Sequence, residues 1–339
     1  MNFLRICRYL YTKRLLGEFV LFVQLICMLE MSFVVLKPVD SYLMEKKQLK
    51  AAYVSDLDSM VHFSKNNLIY EQEMKGNRAA AQEIYKLLLE ADDVEKVDRC
   101  AFENGTYIKT DGKMSSANLV LYSSEMLDVI RLNTESAALK NVSEGYVPIL
   151  VSSSMAEELP VGTRTEISLA FDDTIKISCE VAGILQRDSA VPVVFSYGDT
   201  MELGNMAILP EALSEYKFVV FAKDMDELFD QLTNVNFLIE PKNNISGEKL
   251  AVSLQDRMKN YGTVNTYKTI ATGALKNRLE ENAWYILAFA MLTLIAVFGY
   301  GGYLYLMIAQ KKNEFAVFYI LGMTRKKMIA VIFSSVAIL

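Results

Sequence analysis

The chain has 339 residues, of which 52% are hydrophobic, and a formal net charge of −6. Its single histidine, His62, excludes a histidine-rich metal cluster and leaves almost no material for a Ser-His-Asp triad, and no G-x-x-x-x-G-K-[ST] phosphate-binding loop occurs. The hydrophobic content is high for a soluble protein and low for a polytopic one, so the composition favours a few membrane spans attached to one large soluble part.

The first apolar segment, residues 19–36, is interrupted only by Gln24, Glu30 and Ser32. Its twelve Leu, Ile, Val and Phe residues contribute about −6 kcal/mol to membrane insertion, against about +3 kcal/mol for Glu30. No small-x-small cleavage site follows, so the pattern predicts an uncleaved signal anchor. Pro38 is expected to end its helix.

Residues 37–282 alternate between helix and strand patterns. An amphipathic helix is predicted over 78–91, and a strand over 94–102 is followed by Asn104-Gly105, a pair typical of turns. Strands predicted over 216–222, 235–240 and 263–267 alternate with helices predicted over 225–232 and 248–259, which indicates an α+β layer. Between these parts lies a β-rich stretch that predicts a second subdomain. Its strand candidates are residues 118–122, 147–151, 165–170, 175–185 and 191–195.

Two pairs of side chains within residues 37–282 could have a chemical role. Cys100 and Cys179 could form one disulfide if the domain lies outside the cell, and two unpaired thiols fit the sequence equally well. The carboxylate pair Asp172-Asp173 falls at a predicted hairpin turn, where solvated turn chemistry explains it better than a catalytic role.

The second apolar segment, residues 283–308, carries Trp284 and Tyr285 at one edge as interface anchors. Gly299 and Gly302 in its second half are candidates for close helix packing, although membrane helices also simply tolerate glycine. A helix starting near residue 271 is expected to continue into this segment without a break.

Residues 309–327 predict a short amphipathic helix between two apolar segments. Asn313 is expected to cap its N-terminus, and Gly322 to end it with a positive φ. Its predicted apolar stripe consists of Phe315, Phe318, Tyr319 and Gly322. Residues 328–339 then begin a third apolar run, whose length of about 18 Å is too short to span a core of about 30 Å. The chain is therefore expected to be a fragment of a longer protein.

Basic residues flank both long apolar segments. They are Arg5, Arg8, Lys13 and Arg14 before the first segment, and Lys311, Lys312, Arg325, Lys326 and Lys327 after the second. The positive-inside rule places both groups in the cytoplasm and residues 37–282 outside. This outer part contains 26 basic and 38 acidic residues, which is a net charge of −12.

The predicted fold class is a membrane protein with transmembrane α-helices plus a large α+β extracytoplasmic domain with a β-rich subdomain. The predicted divisions are a cytoplasmic N-terminal segment (1–18), transmembrane helix 1 (19–36), the extracytoplasmic domain (37–282), transmembrane helix 2 (283–308), a cytoplasmic coupling helix (309–327) and the start of transmembrane helix 3 (328–339).

Residues 312–328 resemble the signature of FtsX-like permeases: a basic residue, a glutamate, a helix ending in Leu-Gly, a small residue or Met, Ser or Thr, and then Arg. Residues 147–163 and 181–185 resemble a segment in the outer domains of MacB-type permeases. The chain departs from this pattern in its first span, which is poorer in small residues, and in lacking a fourth span.

The resemblance implies the non-catalytic permease subunit of a MacB/FtsX-type ABC transporter in a bacterial cytoplasmic membrane, multi-pass with its N-terminus inside. The implied partners are a separate ABC ATPase subunit, a second permease copy or paralogue, and the lipid bilayer, with no nucleic acid, cofactor or metal. Such permeases move peptides, toxins or lipoproteins. The residues implied to contact the ATPase are Glu314, Phe315, Phe318, Gly322 and Arg325.

Two other functions are compatible with the sequence. A membrane-anchored sensor also has an outer ligand domain between two spans, but it continues into a soluble signalling region where this chain resumes apolar residues at Met328. A division-type regulator of a cell-wall hydrolase is the other alternative, and an outer domain of this size is large for that role.

Overall fold

A computed structural model of the protein describes residues 3–65, 74–110, 113–136, 139–169, 172–194, 202–232, 235–310, 312–320, 322 and 324–326. The chain divides into two compact units. We call them the helical unit, formed by Met1–Asp40 and Arg278–Leu339, and the sheet unit, formed by Ser41–Asn277.

The described helices are α1 (Phe3–Ala52), α2 (Met74–Leu89), α3 (Ser124–Val129), α4 (Pro210–Glu215), α5 (Gly247–Met258), α6 (Tyr267–Glu281), α7 (Ala283–Gln310) and α8 (Lys312–Ile320). The described strands are β1 (Val61–Lys65), β2 (Val94–Thr110), β3 (Lys113–Tyr122), β4 (Val147–Val151), β5 (Arg164–Leu169), β6 (Asp172–Ile184), β7 (Val191–Pro192), β8 (Ala207–Ile208), β9 (Phe218–Phe221), β10 (Val235–Pro241) and β11 (Gly262–Thr266). Short 3-10 helices cover Ser153–Met155, Leu203–Asn205 and Asp226–Gln231.

The sheet unit is built on one mixed sheet of nine strands in the order β11-β1-β10-β2-β3-β9-β4-β6-β5. The β3–β9 and β4–β6 pairs are parallel, and the other pairs are antiparallel. An additional pairing joins Tyr107–Lys109 of β2 to Glu166–Ser168 of β5, so six of the strands close into a ring. The predicted α+β layer and β-rich stretch are therefore parts of one sheet, and β2 belongs to both.

Two apolar clusters hold the sheet unit together. In the first, Ile84 of α2 and Leu250 of α5 pack on the sheet, and the cluster continues to ring residues such as Ile149 and Ile167. The second joins the end of α1 and the start of α6, including Leu49 and Tyr267, to a different set of buried sheet residues. Each cluster buries apolar side chains that neither the helices nor the strands could bury alone.

The predicted helix end at Pro38 is wrong, because α1 continues through Pro38 to Ala52. Proline removes one helical hydrogen bond and crowds the preceding turn. The residues that follow compensate, since Tyr42, Leu49 and Ala52 are buried in the second cluster. Tertiary packing thus extends a helix that the local sequence would stop.

The predicted turn at Asn104-Gly105 is also wrong, because β2 runs straight through it. The register with β3 shifts between Glu103 and Thr106, so β2 carries one extra residue there. Gly105 has a φ of +70°, which is the left-handed conformation that a glycine β-bulge uses. The sequence pair that predicts a tight turn forms a bulge instead.

Several smaller differences concern element type. The helix predicted near residues 225–232 is a 3-10 helix over Asp226–Gln231. The helix predicted to enter the second apolar segment without a break is interrupted at Asn282, between α6 and α7. Strand β1 had no prediction, since Val61–Lys65 is short and contains only two strongly apolar residues.

A disulfide between Cys100 and Cys179 does not form. Both thiols are free and fully buried. Cys100 belongs to the second cluster and Cys179 to the first. Burial raises the pKa of Cys100 to about 12 and raises that of Cys179 as well, so both remain protonated and poorly reactive.

Two of the described helices are long and apolar enough to cross a membrane, α1 over Phe22–Ala52 and α7 over Ala283–Tyr303. Both helices carry exposed large apolar side chains, including Phe33, which is 72% exposed, and Phe298, which is 75% exposed. Exposed apolar surface of this extent is unfavourable in water and favourable in lipid.

Candidate functional site

The candidate coupling segment begins where α7 ends at Gln310 and α8 starts at Lys312. Helix α8 ends at Ile320, and the Gly322 amide donates to the Tyr319 carbonyl at 3.1 Å. Gly322 has the predicted positive φ, at +88°. A residue with a Cβ is strained there, so glycine is the residue that this sharp helix end requires.

Two predictions about α8 are wrong. Asn313 is the second residue of the helix and cannot be its N-cap. The polar residues Lys312, Asn313 and Glu314 all lie in the first turn, whereas every residue from Phe315 to Ile320 is apolar. Polarity therefore changes along the helix axis and not around it, so the helix has no separate apolar stripe.

The apolar part of α8 is open to its surroundings. Val317 is 55% exposed, Tyr319 57% and Ile320 82%. A short helix with this much exposed apolar surface is incompletely buried, because these three side chains lack contacts that would remove them from water.

The structure places the predicted contact residues as follows. Glu314, Phe315 and Phe318 lie in α8, and their side chains fall outside the described part of the chain. Gly322 and Arg325 follow the helix and are exposed. Glu314 and Phe318 are four residues apart and so share one side of the helix. Their role in binding an ATPase remains a prediction.

The two predicted packing glycines differ in their surroundings. A Cβ added at Gly299 would lie 3.6 Å from the Gln24 Oε1 of α1, whereas one added at Gly302 would meet no atom within 4 Å. Gly299 lies beside a groove of about 450 Å³ between α1 and α7, lined mainly by apolar side chains such as Met28 and Val297. Of the two, only Gly299 has a neighbour within 4 Å, and its distance is an ordinary van der Waals contact that a methyl group would tolerate.

The segment singled out by the MacB resemblance serves packing in the sheet unit. The Ser152 Oγ accepts from the Phe218 amide at 3.0 Å, and the Ser154 Oγ donates to the Tyr216 carbonyl at 2.7 Å. Gly162 has a φ of +93°, which strains any residue with a Cβ, whereas the Lys140 ammonium beside it ends a flexible side chain that can move aside.

A buried carboxylate was missed by the sequence analysis. Asp98 on β2 has no exposed surface, and its Oδ1 lies 3.3 Å from the Lys96 Nζ. Burial is the main cause that raises the pKa of Asp98 to about 6, and Lys96 opposes this effect. Asp98 lies in a strand that mixes polar and apolar residues, so the local sequence does not indicate that its side chain is buried.

The single histidine is also buried, on the same face of the sheet as Asp98. His62 of β1 is in register with Leu238 of β10, which is in register with Asp98. Burial lowers the pKa of His62 to about 4, so the imidazole is neutral at pH 7. Among the described residues, no three His, Cys, Asp or Glu side chains come together as a metal site would require.

No known protein family and no curated protein matches the chain. The solved structures that are similar to it include the following three. A domain of a predicted permease from Porphyromonas gingivalis is 15% identical and covers 63% of this chain and 92% of that domain, with a TM-score of 0.33. The extracellular domain of the noncanonic ABC-type transporter YknZ from Gram-positive bacteria is 12% identical, with coverages of 61% and 97% and a TM-score of 0.32. The periplasmic region of MacB from Actinobacillus actinomycetemcomitans is 11% identical, with coverages of 66% and 94% and a TM-score of 0.36.

Proposed function

We propose that the chain is the permease subunit of a MacB/FtsX-type ABC transporter in a bacterial cytoplasmic membrane. In this proposal α8 docks on a separate ATPase, and the sheet unit responds on the other side of the membrane. The observation that supports it most directly is a short helix with exposed apolar side chains and a glycine-bounded end, placed directly after a helix long enough to span a membrane.

The charges around α8 support docking on a protein over insertion into lipid. Lys312 precedes the apolar part of the helix, and Arg325 and Lys326 follow it, all of them exposed. Positive charges at both ends hold the segment at the cytoplasmic surface. There its open apolar side chains can be covered by a cytoplasmic protein, whereas a helix that only floats on the bilayer would separate apolar and charged faces around its axis.

In this proposal the chain transmits movement and does not itself hydrolyse ATP. The sequence contains no phosphate-binding loop of the G-x-x-x-x-G-K-[ST] type, so the ATPase would be another polypeptide. A second copy or a paralogue would complete the complex. The cargo classes implied by the resemblance are peptides, toxins or lipoproteins.

The double variant Glu314→Ala, Phe318→Ala is expected to recover at least about tenfold less of the partner ATPase than the unmodified chain. The reason is that it loses two neighbouring contact side chains on one face of the helix. The tagged full-length chain is purified from native membranes in mild detergent. Mass spectrometry then quantifies any co-purified protein that carries the phosphate-binding loop sequence.

The matched control also exchanges one glutamate and one phenylalanine, Glu281→Ala with Phe298→Ala, at exposed positions of α6 and α7. This control is expected to recover as much ATPase as the unmodified chain. Equal recovery by all three chains would contradict the docking role of α8.

The proposed orientation predicts opposite labelling of two exposed lysine positions, one in each unit. In a Cys7→Ser, Cys27→Ser background, Lys249→Cys on α5 is expected to react with a membrane-impermeant maleimide in intact cells. Lys312→Cys is expected to react only after permeabilisation. Cys100 and Cys179 are buried and serve as a silent background. If only Lys312→Cys were labelled in intact cells, the orientation would be the opposite of the proposed one, and the proposal would be contradicted.

A further inference from the structure

Strand β3 is longer than the strand that covers its outer side. It pairs with β2 from Lys113 to Tyr122, but β9 covers only Asn118–Val120 on the other side. Within the described ranges, no other strand pairs with Lys113–Ala117 on that side. These residues therefore present an open strand edge about 16 Å long.

The backbone groups that face outward on this edge belong to Met114 and Ser116. The Asn118 amide donates to the Lys217 carbonyl at 2.9 Å, which fixes the direction in which its N–H points. Because N–H and C=O directions alternate along an antiparallel strand, those of Met114 and Ser116 point to the same side. Both residues are exposed, so they offer two donors and two acceptors to an added strand.

The open edge borders a groove of about 590 Å³. The groove is lined by Lys113, Met114, Ser115, Glu157, Glu158, Leu159 and Lys217. The Lys217 Nζ lies 2.7 Å from Glu158 Oε2, so these two charges neutralise each other. An extended peptide laid along β3 would thus have a second surface beside it.

The surroundings of the groove are acidic. Besides the Lys217–Glu158 pair, the lining contains one positive charge, Lys113, and one negative charge, Glu157, which offset each other. Glu211 and Glu215 are exposed on α4, which packs against the 3-10 helix at Ser153–Met155. Together with the net charge of −12 over residues 37–282, this excess of carboxylates attracts positively charged segments and repels acidic ones.

We propose that the Lys113–Ala117 edge of β3 binds an extended, basic polypeptide segment of a partner or cargo by adding it to the sheet as a further strand. Backbone hydrogen bonds supply the contact and the acidic surroundings select for Lys or Arg side chains. This binding goes beyond the coupling function and does not depend on it.

The test uses the full-length chain in detergent and a fluorescein-labelled Lys-Val-Lys-Val-Lys-Val peptide, followed by fluorescence anisotropy. Ser116→Pro is expected to raise the Kd at least about tenfold, because it removes an outward N–H donor and blocks the approach of a strand. The Ser116 N–H does not bond to β2, so the fold should survive, and an unchanged melting temperature checks this.

Ser116→Thr is the matched control and is expected to bind normally, since it keeps the N–H. A peptide with alternate backbone N-methyl groups and an acidic Glu-Val-Glu-Val-Glu-Val peptide are both expected to bind at least about tenfold more weakly. The proposal is overturned if the basic peptide fails to bind at up to about 1 mM, or if Ser116→Pro leaves its Kd unchanged.

Discussion

Replacing Asp98 by asparagine is expected to stabilise the sheet unit by about 3 kcal/mol at pH 7.5 and to have almost no effect at pH 4. Burial raises the pKa of Asp98 from 3.8 to about 6, against the attraction of Lys96. Apart from the Lys96 ammonium 3.3 Å from Oδ1, neither carboxylate oxygen has a polar partner among the described residues. At neutral pH the folded chain therefore holds a buried charge that it solvates poorly.

The sign of this pH dependence of stability follows from proton binding to Asp98. Between pH 3.8 and 6 the folded chain keeps a proton on Asp98 that the unfolded chain releases, so the free energy of unfolding falls as the pH rises through this window. Above pH 6 the full cost is present, and Asp98→Asn removes it. Lys96 keeps a partner in the variant, because its Nζ donates to the Glu125 carbonyl at 2.9 Å.

His62 acts in the opposite sense and must be held constant. Its folded pKa is about 4 against 6.5 for the ordinary group, so its contribution to stability is lost as the pH falls through that range. Since both chains in the comparison contain His62, its effect cancels. In the unmodified chain the two buried groups partly offset each other between pH 4 and 6.

Thermal unfolding of the full-length chain in detergent at the two pH values measures the effect. An increase in melting temperature of about 6–12 °C at pH 7.5 corresponds to the expected free energy. Asp188→Asn, at an exposed position, is the matched control and should change the melting temperature little at either pH. An equal shift for Asp98→Asn at both pH values would show that its charge is not the cause.

Replacing Gly247 by alanine is expected to destabilise the sheet unit by about 2 kcal/mol. Gly247 is the first residue of α5 and is buried. A Cβ built there would lie 2.6 Å from the Ser59 carbonyl oxygen and 3.1 Å from its carbon. Because the obstacle is backbone, it cannot rotate away as a side chain would, and either α5 or the segment before β1 must shift.

Gly204→Ala is the matched control, since a Cβ at Gly204 would meet nothing within 4 Å. The expected result is a melting temperature lowered by about 4–8 °C for Gly247→Ala and nearly unchanged for Gly204→Ala. If both variants have the same melting temperature as the unmodified chain, the close approach of α5 to Ser59 does not limit stability.

Much of the secondary structure follows from local patterns. Strand β4 occupies the predicted residues Val147–Val151, and α5 and β11 lie within one residue of their predicted positions. Hydrophobic period and turn chemistry are encoded within a few residues of the element they specify, so they can be recognised without knowledge of its neighbours. The positive φ of Gly322 was predictable for the same reason.

The open edge of β3 shows what a local pattern leaves out. Residues 118–122 were predicted as a strand, but the five residues before them also belong to β3 and carry the exposed edge. Their pairing with β2 depends on the bulge at Gly105, which reads as a turn in the sequence. The position where β9 stops covering β3 depends on where the chain returns about a hundred residues later.

The sequence by itself determined the alternation of apolar, basic and mixed segments, the absence of a phosphate-binding loop and the positions of several helices and strands, because each depends on neighbouring residues only. Tertiary structure alone decided that α1 continues through Pro38, that β2 closes a ring with β5, and that Cys100 and Cys179 belong to different clusters. These features depend on contacts between residues far apart in the chain, whose gain in buried surface and hydrogen bonds outweighs the local preference of a proline or an Asn-Gly pair.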